Sequence, residues 1–360
     1  MAAVRYGVVG AGWRAGFFIR LAAALPDDVE LVGVVARSPE AAARLRNALD
    51  ADTVPTLDDL LTRRPQFVVS CVSKQAAPGL IGDLVGRGLP VLAETPPAPD
   101  ADALRALWSR VGASGLVQVA EQYLLMPGHA ARLELVRRGL LGAPTSVQVS
   151  STHGYHAVSM IRGLLGGGFE PATVTARRFA APLVDPIDRA GWRDDPAPRP
   201  ATTTLATIDF GGTAGLYDFT DNQWHNPLRT RRIVVRGSHG ELVDDTLTRQ
   251  TGPRTIVTSA LVRQQSGYDL DLTGYDTGHL SFEGEVVWRN PLPGHRLADE
   301  EIAIAALLAG TAAWVRDDGP APYPLAQACQ DQLIALAVDA AAATGRDVRT
   351  GREAWADRPG

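Results

Sequence analysis

Tyr6-Gly7-Val8-Val9-Gly10-Ala11-Gly12-Trp13-Arg14-Ala15 decides how this chain is read. The apolar run Tyr6–Gly10 reads as a buried strand, and a helical pattern opens directly after it. Between them Gly10, Gly12 and Ala15 make G-x-G-x-x-A, one form of the dinucleotide-binding fingerprint. Gly10 permits the tight turn and Gly12 lets backbone approach a pyrophosphate. Ala15 keeps the helix close to the strand, and the helix N-terminus faces the phosphates. The strand–turn–helix setting raises this match above a chance run of glycines. Trp13 and Arg14 share the turn; Arg14 either adds a phosphate contact or is solvated.

Working outward, short apolar runs alternate with helical patterns as far as Gln122. Val29–Ala36, Phe67–Val72, Val91–Ala93 and Leu116–Ala120 read as further strands. Pro39–Leu49, Leu57–Leu61, Ala77–Gly86 and Asp100–Val111 read as helices, with Ser38 as N-cap before a first-turn proline. Such alternation implies a parallel sheet covered on both faces, hence α/β with a Rossmann dinucleotide-binding domain over 1–122.

Beyond Tyr123 the pattern changes. A helix over Gly128–Arg138 precedes Thr145–Thr152, Thr173–Phe179, Thr202–Phe210, Gly215–Asp221, Arg231–Arg236, Glu241–Asp244 and Leu280–Trp288, all strand-like. Consecutive strands predict a mainly antiparallel sheet in an α+β second domain over 123–360, closed by helices over Asp299–Val315 and Leu325–Thr344. The proline-rich stretch Asp185–Pro200 reads as a surface loop.

Composition sets the outer limits. The chain has 360 residues, 45% hydrophobic and 21% charged, with a net charge of −5. These values exclude a disordered or fibrous chain and give no global basic field for nucleic acid or anionic lipid. Cys71 and Cys329 are the only cysteines, so neither a disulfide framework nor a multi-cysteine zinc site is expected, and no metal is. The longest apolar run, Ile302 to Val315, is too short to span a bilayer. The N-terminus lacks the pattern of a signal peptide, so a cytoplasmic location is expected. Of 35 basic residues, 34 are Arg and one is Lys, Lys74.

The second expected strand ends Val34-Val35-Ala36-Arg37-Ser38. NAD-binding turns carry an acid there to hold the ribose hydroxyls. Here Arg37 and Ser38 could instead bind a 2′-phosphate, so NADP(H) is favoured over NAD(H).

A Rossmann half, then Val91-Leu92-Ala93-Glu94-Thr95-Pro96-Pro97, then a sheet-rich half with a histidine at a helix start, resembles the glucose–fructose oxidoreductase, inositol dehydrogenase and rhizopine-catabolism family (Gfo/Idh/MocA) over essentially the whole chain. The resemblance implies an N-terminal dinucleotide domain, a C-terminal open sheet facing the nicotinamide, and homodimers or homotetramers formed through that sheet. It implies NAD(P)-dependent dehydrogenase or reductase chemistry on small molecules. It also implies that the loop Cys71-Val72-Ser73-Lys74 approaches the nicotinamide ribose, which makes Cys71, Ser73 and Lys74 cofactor residues together with Glu94.

Two positions depart from the family pattern. Glu-Lys-Pro becomes Glu94-Thr95-Pro96, and a threonine hydroxyl cannot act as a base near neutral pH. The second motif places Asp four residues before a helix-start His; His156 matches the His, and Thr152 stands where Asp is expected. Family branches that resemble this chain in lacking the Lys, such as biliverdin reductase and thiazolinyl imine reductases, still transfer hydride.

His156 is therefore the foremost catalytic candidate, in a first helical turn where the dipole disfavours extra positive charge. Tyr123, Lys74 and Thr95 are the other candidates for proton transfer or polar support. Gln122, His153, Tyr155 and Trp224 are candidate substrate residues. The expected function is a reductase of a small carbonyl, imine or conjugated substrate. The alternatives are an NAD(P)-assisted lyase, epimerase or glycosidase with no net redox change, and a non-catalytic NADP(H)-binding protein.

Overall fold

The structure, a computed structural model, describes residues 2–267 and 274–357. The first half comprises β1 (Val4–Val9), α1 (Trp13–Leu21), β2 (Val29–Val35), α2 (Pro39–Leu49), β3 (Thr53–Val54), α3 (Leu57–Thr62), β4 (Phe67–Ser70), α4 (Ala77–Gly86), β5 (Val91–Ala93), α5 (Ala101–Val111) and β6 (Val117–Val119). The helix starts are written locally. The side chains of Ser38, Thr56 and Asp100 accept the N–H of Ala41, Asp59 and Ala103 at 3.1, 3.1 and 2.9 Å, the N-cap contact that satisfies an otherwise orphaned donor.

The six strands form a parallel sheet in the order β3-β2-β1-β4-β5-β6. The order reverses at β1, between β2 and β4, and that is where open parallel sheets form their ligand crevice, beyond the strands' C-terminal ends.

The second half comprises α6 (Pro127–Arg137), β7 (Pro144–Ser150), α7 (Gly154–Leu165), β8 (Thr173–Leu183), β9 (Ile187–Asp188), β10 (Gly191–Trp192), β11 (Arg199–Asp209), β12 (Ala214–Thr220), β13 (Arg232–Gly237), β14 (Gly240–Val243), β15 (Thr246–Gly252), β16 (Thr255–Ser266), β17 (Asp276–Phe282), β18 (Glu285–Arg289), α8 (Asp299–Val315), α9 (Leu325–Thr344) and β19 (Val348–Arg349). Eleven strands make one sheet, β18-β17-β16-β15-β14-β13-β7-β12-β11-β8-β19. The pairing β7–β12 is parallel and the other pairings are antiparallel.

Several expectations are corrected. Leu280–Trp288 is two strands, because Glu283 and Gly284 both take positive φ and turn the chain between β17 and β18. Asp185–Pro200 holds the small hairpin β9–β10 and the start of β11. β3, β15, β16 and β19 went unread: two are only two residues long, and β15 and β16 each bury a single residue fully.

The packing also crosses the expected boundary between the halves. Ile304, Leu307, Leu308 and Ala312 of α8 are buried in one cluster with Phe17, Phe18, Tyr6 and Phe67 of the parallel sheet. α8 therefore covers the dinucleotide half although it arises from the second half of the chain. No helix among the described residues is long and apolar enough to cross a membrane.

Candidate active site

The turn after β1 needs its glycines for different reasons. Gly10 has φ +127°, and a Cβ there would lie 2.3 Å from the carbonyl oxygen of Cys71, so backbone of β1 and β4 meet where no side chain fits. A Cβ on Gly12, by contrast, would meet nothing within 4 Å. The fold does not require glycine at 12, so the space above it is free for another molecule. Gly12 is the N-cap of α1 and provides no side-chain cap, which leaves the helix's first N–H groups directed at that space. Ala15 is fully buried against the sheet.

A cavity of about 380 Å³ runs from this turn between the ends of β1, β2 and β4, and Gly10, Arg37, Ser38, Cys71 and Ser73 border it. The residues present fit a dinucleotide: an open glycine turn, an uncapped helix start and a cavity at the strand-order reversal. Arg37 is exposed and has no ion-pair partner among the described residues. Ser38 is already the N-cap of α2, so it stands at the cavity with its hydroxyl accepting Ala41 N–H. Burial pushes the Cys71 thiol well up, and Cys71 stays a neutral wall residue.

Arg14 is not free for a phosphate. Its Nε donates to Glu94 at 3.0 Å, Nη1 to Glu300 at 2.9 Å and Nη2 to Gln122 at 3.4 Å. Gln122 Nε2 also donates to Glu300 at 3.1 Å. Arg14, Glu94, Gln122 and Glu300 thus form a partly buried brace that ties the glycine turn to the ends of β5 and β6 and to the first turn of α8. Trp13 is half exposed, with the Arg189 guanidinium 4.3 Å from its ring.

The catalytic candidates meet on the other side of this brace. His156 is the third residue of α7, and its side chain is 14% exposed. Its Nδ1 lies 2.6 Å from Oε2 of Glu121, whose side chain is fully buried. The other Glu121 oxygen accepts the Tyr123 N–H at 2.9 Å. With Nδ1 held by the carboxylate, Nε2 is the ring nitrogen left for chemistry, and it faces Thr95 Oγ1 at 3.5 Å. Tyr123 packs on His156 with ring centroids 4.6 Å apart. Its hydroxyl is pushed up to about 12, chiefly by burial, so it is a permanent donor at neutral pH and not a base.

Glu121 was missed by reading the sequence. Thr152 lacks the carboxylate expected four residues before His156, and the structure supplies one from the end of β6 instead. The only sequence signal was an acid directly after the last parallel strand, where ligand-facing residues gather.

The remaining candidates divide. His153 and Trp224 stand side by side, 5.0 Å between rings, with His153 5.5 Å from His156; Trp224 stacks in turn on Phe219. They make an aromatic wall beside the histidine. Tyr155 does not belong to it: helical periodicity turns it inward, and it is 5% exposed in the core. Lys74 is exposed in the turn after β4, borders neither the cavity at the glycine turn nor the wall, and makes no ion pair among the described residues.

Residues 4–121 match the oxidoreductase family described as GFO_IDH_MocA, with an NAD-binding Rossmann fold. No curated protein matches the sequence. Among solved structures, the fold resembles a myo-inositol dehydrogenase from Corynebacterium glutamicum, with TM-score 0.66, 20% identity, and 97% of this chain and 99% of that one covered. It also resembles a levoglucosan dehydrogenase in complex with NADH and levoglucosan, with TM-score 0.69, 17% identity and 96% and 99% coverage. A third likeness is an oxidoreductase from Agrobacterium radiobacter in complex with NAD+, L-tartaric acid and magnesium, with TM-score 0.69, 16% identity and 96% and 98% coverage. Residues 4–121 thus carry the NAD-binding Rossmann domain of the GFO_IDH_MocA oxidoreductase family, and the chain has the fold of these structures over nearly its whole length.

Proposed function

We propose that the protein is an NADP(H)-dependent oxidoreductase that reduces a small carbonyl, imine or conjugated substrate, with His156 as proton donor. The observation that carries this reading is the Glu121–His156–Thr95 arrangement, a buried carboxylate on Nδ1 and a hydroxyl opposite Nε2. When bound, the dinucleotide supplies the hydride. The chain's own residues hold and protonate the acceptor. Glu121 fixes the imidazole's orientation and stabilises its charged form, as buried carboxylates do for catalytic histidines. Thr95 Oγ1 and His156 Nε2 are close enough to reach one substrate oxygen or nitrogen together, so the hydroxyl positions the atom that the imidazole protonates. Thr95 brings neither the base nor the cation that a lysine would, so His156 would have to take a polyol's proton unaided. Negligible oxidation of free glucose or myo-inositol is therefore expected, and turnover at ordinary dehydrogenase rates would refute this mechanism.

Arg37 supports NADPH over NADH, because it is an unpaired guanidinium at the ribose end of the cavity with no acid beside it. Arg37→Ala is expected to weaken NADPH binding about tenfold while leaving NADH binding unchanged, the effect of losing one charge-assisted contact. Fluorescence titration with both nucleotides tests it; equal losses for the two would remove Arg37 from the 2′-phosphate. Gly12→Ala should leave thermal stability intact, since its methyl meets no protein atom, yet weaken either nucleotide by blocking backbone approach. If wild-type protein binds neither nucleotide, the oxidoreductase reading falls.

The same reading includes self-association through the open face of the eleven-stranded sheet. Phe179 and Leu205, on adjacent β8 and β11 and on one face, are 51% and 43% exposed. Light scattering should show a homodimer or homotetramer, and Leu205→Arg should shift it toward monomer.

A further inference from the structure

We propose that the cavity beside Tyr123 is built to hold a carboxylate, so that the substrate is a small carbonyl or imine compound carrying a carboxylate several bonds from the carbon that takes the hydride. This rests on the oxidoreductase reading and deepens it by naming the substrate class.

The cavity measures about 610 Å³ and lies between the first turn of α6, the turn after β12, the start of β13 and the first turn of α8. Tyr123 links it to the catalytic histidine, with its ring 4.6 Å from His156 and 6.5 Å from His129. A ligand spanning both ends of this distance has its anionic group remote from the reacting carbon.

Hydrogen-bond donors without partners converge here. α6 is 11 residues long, and its N-cap, Met126, offers no side-chain cap. The first N–H to close the helix is Ala130, onto Met126 C=O. The N–H groups of Gly128 and His129 are left over, at the positive end of the helix dipole. Ser151 lines the same cavity, is 8% exposed, and its buried Oγ has no hydrogen-bond partner. A buried hydroxyl left unpaired is costly, so an occupant that pairs it is favoured.

The state of His129 follows from its neighbour. Arg132 Nη1 lies 2.9 Å from His129 Nδ1. A guanidinium only donates, so Nδ1 accepts and the proton of the neutral ring is on Nε2. Burial, Arg132 and Arg231 together pull His129 down to about 3, and it is a neutral donor throughout the physiological range. Arg231 adds a charge: its one hydrogen bond among the described residues goes to the Trp224 carbonyl, and it pairs with no carboxylate.

The acids on the rim limit what charge fits. Asp245 is held by Arg132, Asp299 by Arg263 and Glu300 by Arg14. Asp244 accepts the Ile233 N–H. Two guanidiniums with no ion pair among the described residues, Arg231 and Arg232, a neutral imidazole, a hydroxyl and two backbone N–H groups suit a planar carboxylate. A phosphate dianion would set a second negative charge against the rim carboxylates Asp244, Asp245, Asp299 and Glu300, which a singly charged carboxylate avoids. Trp224 and Tyr123 supply flat apolar walls for the rest of the ligand.

Saturation-transfer NMR with benzoate, benzamide and inorganic phosphate tests this on the full chain without nucleotide. Benzoate should bind in preference to benzamide and phosphate, and Arg231→Ala should weaken it about tenfold. Ser151→Ala should weaken benzoate while raising the melting temperature slightly, because it removes the unpaired hydroxyl. Equal binding of benzoate and benzamide, preference for phosphate, no binding of benzoate, or no effect of Arg231→Ala each overturns the carboxylate site. Titration of the same samples with NADPH and NADH is read separately: a wild-type protein that binds benzoate and neither nucleotide retains the anion site and loses the oxidoreductase reading.

Discussion

Replacing His156 by alanine is expected to lower turnover by about two orders of magnitude or more, with NADPH affinity nearly unchanged. The imidazole touches no residue of the dinucleotide turn. Its side-chain neighbours are Glu121, Thr95, Tyr123, Tyr155 and His153, none of them in the glycine turn. Its loss should therefore appear in kcat and not in cofactor binding. Glu121→Gln is expected to cost about tenfold to a hundredfold, less than His156→Ala, because the amide keeps a hydrogen bond to Nδ1 but no longer stabilises the imidazolium. Glutamine can also present its N–H to Nδ1 and select the wrong tautomer. Tyr123→Phe should leave the acid and alkaline limbs of the rate profile where they are, since a phenol pushed up to about 12 does not titrate in the working range. Steady-state rates at saturating NADPH decide the order. Full activity in His156→Ala together with an inactive Lys74→Arg would transfer the donor's role to the lone lysine.

The largest expected loss of stability comes from a pair far from the reaction. Arg162 on α7 is 3% exposed and Asp331 on α9 is fully buried, and the guanidinium donates to the carboxylate, to both the carbonyl and side-chain oxygens of Gln327, and to the Gly168 carbonyl. Tyr323 donates its hydroxyl to the other Asp331 oxygen at 2.5 Å. Burial pushes the Asp331 carboxyl up and Arg162 opposes it. Arg162→Met leaves that carboxylate buried without its cation and should destabilise the fold by about 3–5 kcal/mol. Arg162→Met with Asp331→Leu should recover most of the loss, because an apolar pair leaves no charge stranded. Denaturant unfolding of the three proteins measures this. A single mutant as stable as the double would show that solvent reaches the site and that the pair is not dry. α7 also carries His156, so the pair anchors the helix that bears this candidate donor to α9, and the single mutant should lose activity on mild heating before wild type does.

How much of this was legible in the chain depends on the distance over which each feature is decided. The parallel sheet followed from residues within a few positions of one another. Apolar runs such as Phe67–Ser70 are buried on both faces, Ser38 and Asp100 cap the helices that follow them, and Gly10 must take a positive φ. The long helices over Asp299–Val315 and Leu325–Thr344 were legible for the same reason. His156 and Trp224 were found because a helix start and a strand end place side chains at known points.

Contacts between residues far apart in sequence were not legible. Nothing in local pattern states that Glu121 lies on His156, that Glu300 closes on Arg14 across 286 positions, or that α8 folds back onto the first sheet. The strands β15 and β16 are held by their neighbours' ladders more than by their own apolar periodicity, so their sequences carry little signal. Local backbone preferences and hydrophobic periodicity were sufficient for the dinucleotide half and the position of the histidine. The carboxylate that orients that histidine, the brace that occupies Arg14 and the burial of Tyr155 were decided only in the folded chain, because each depends on which surfaces pack together, and packing joins side chains without regard to their separation along the sequence.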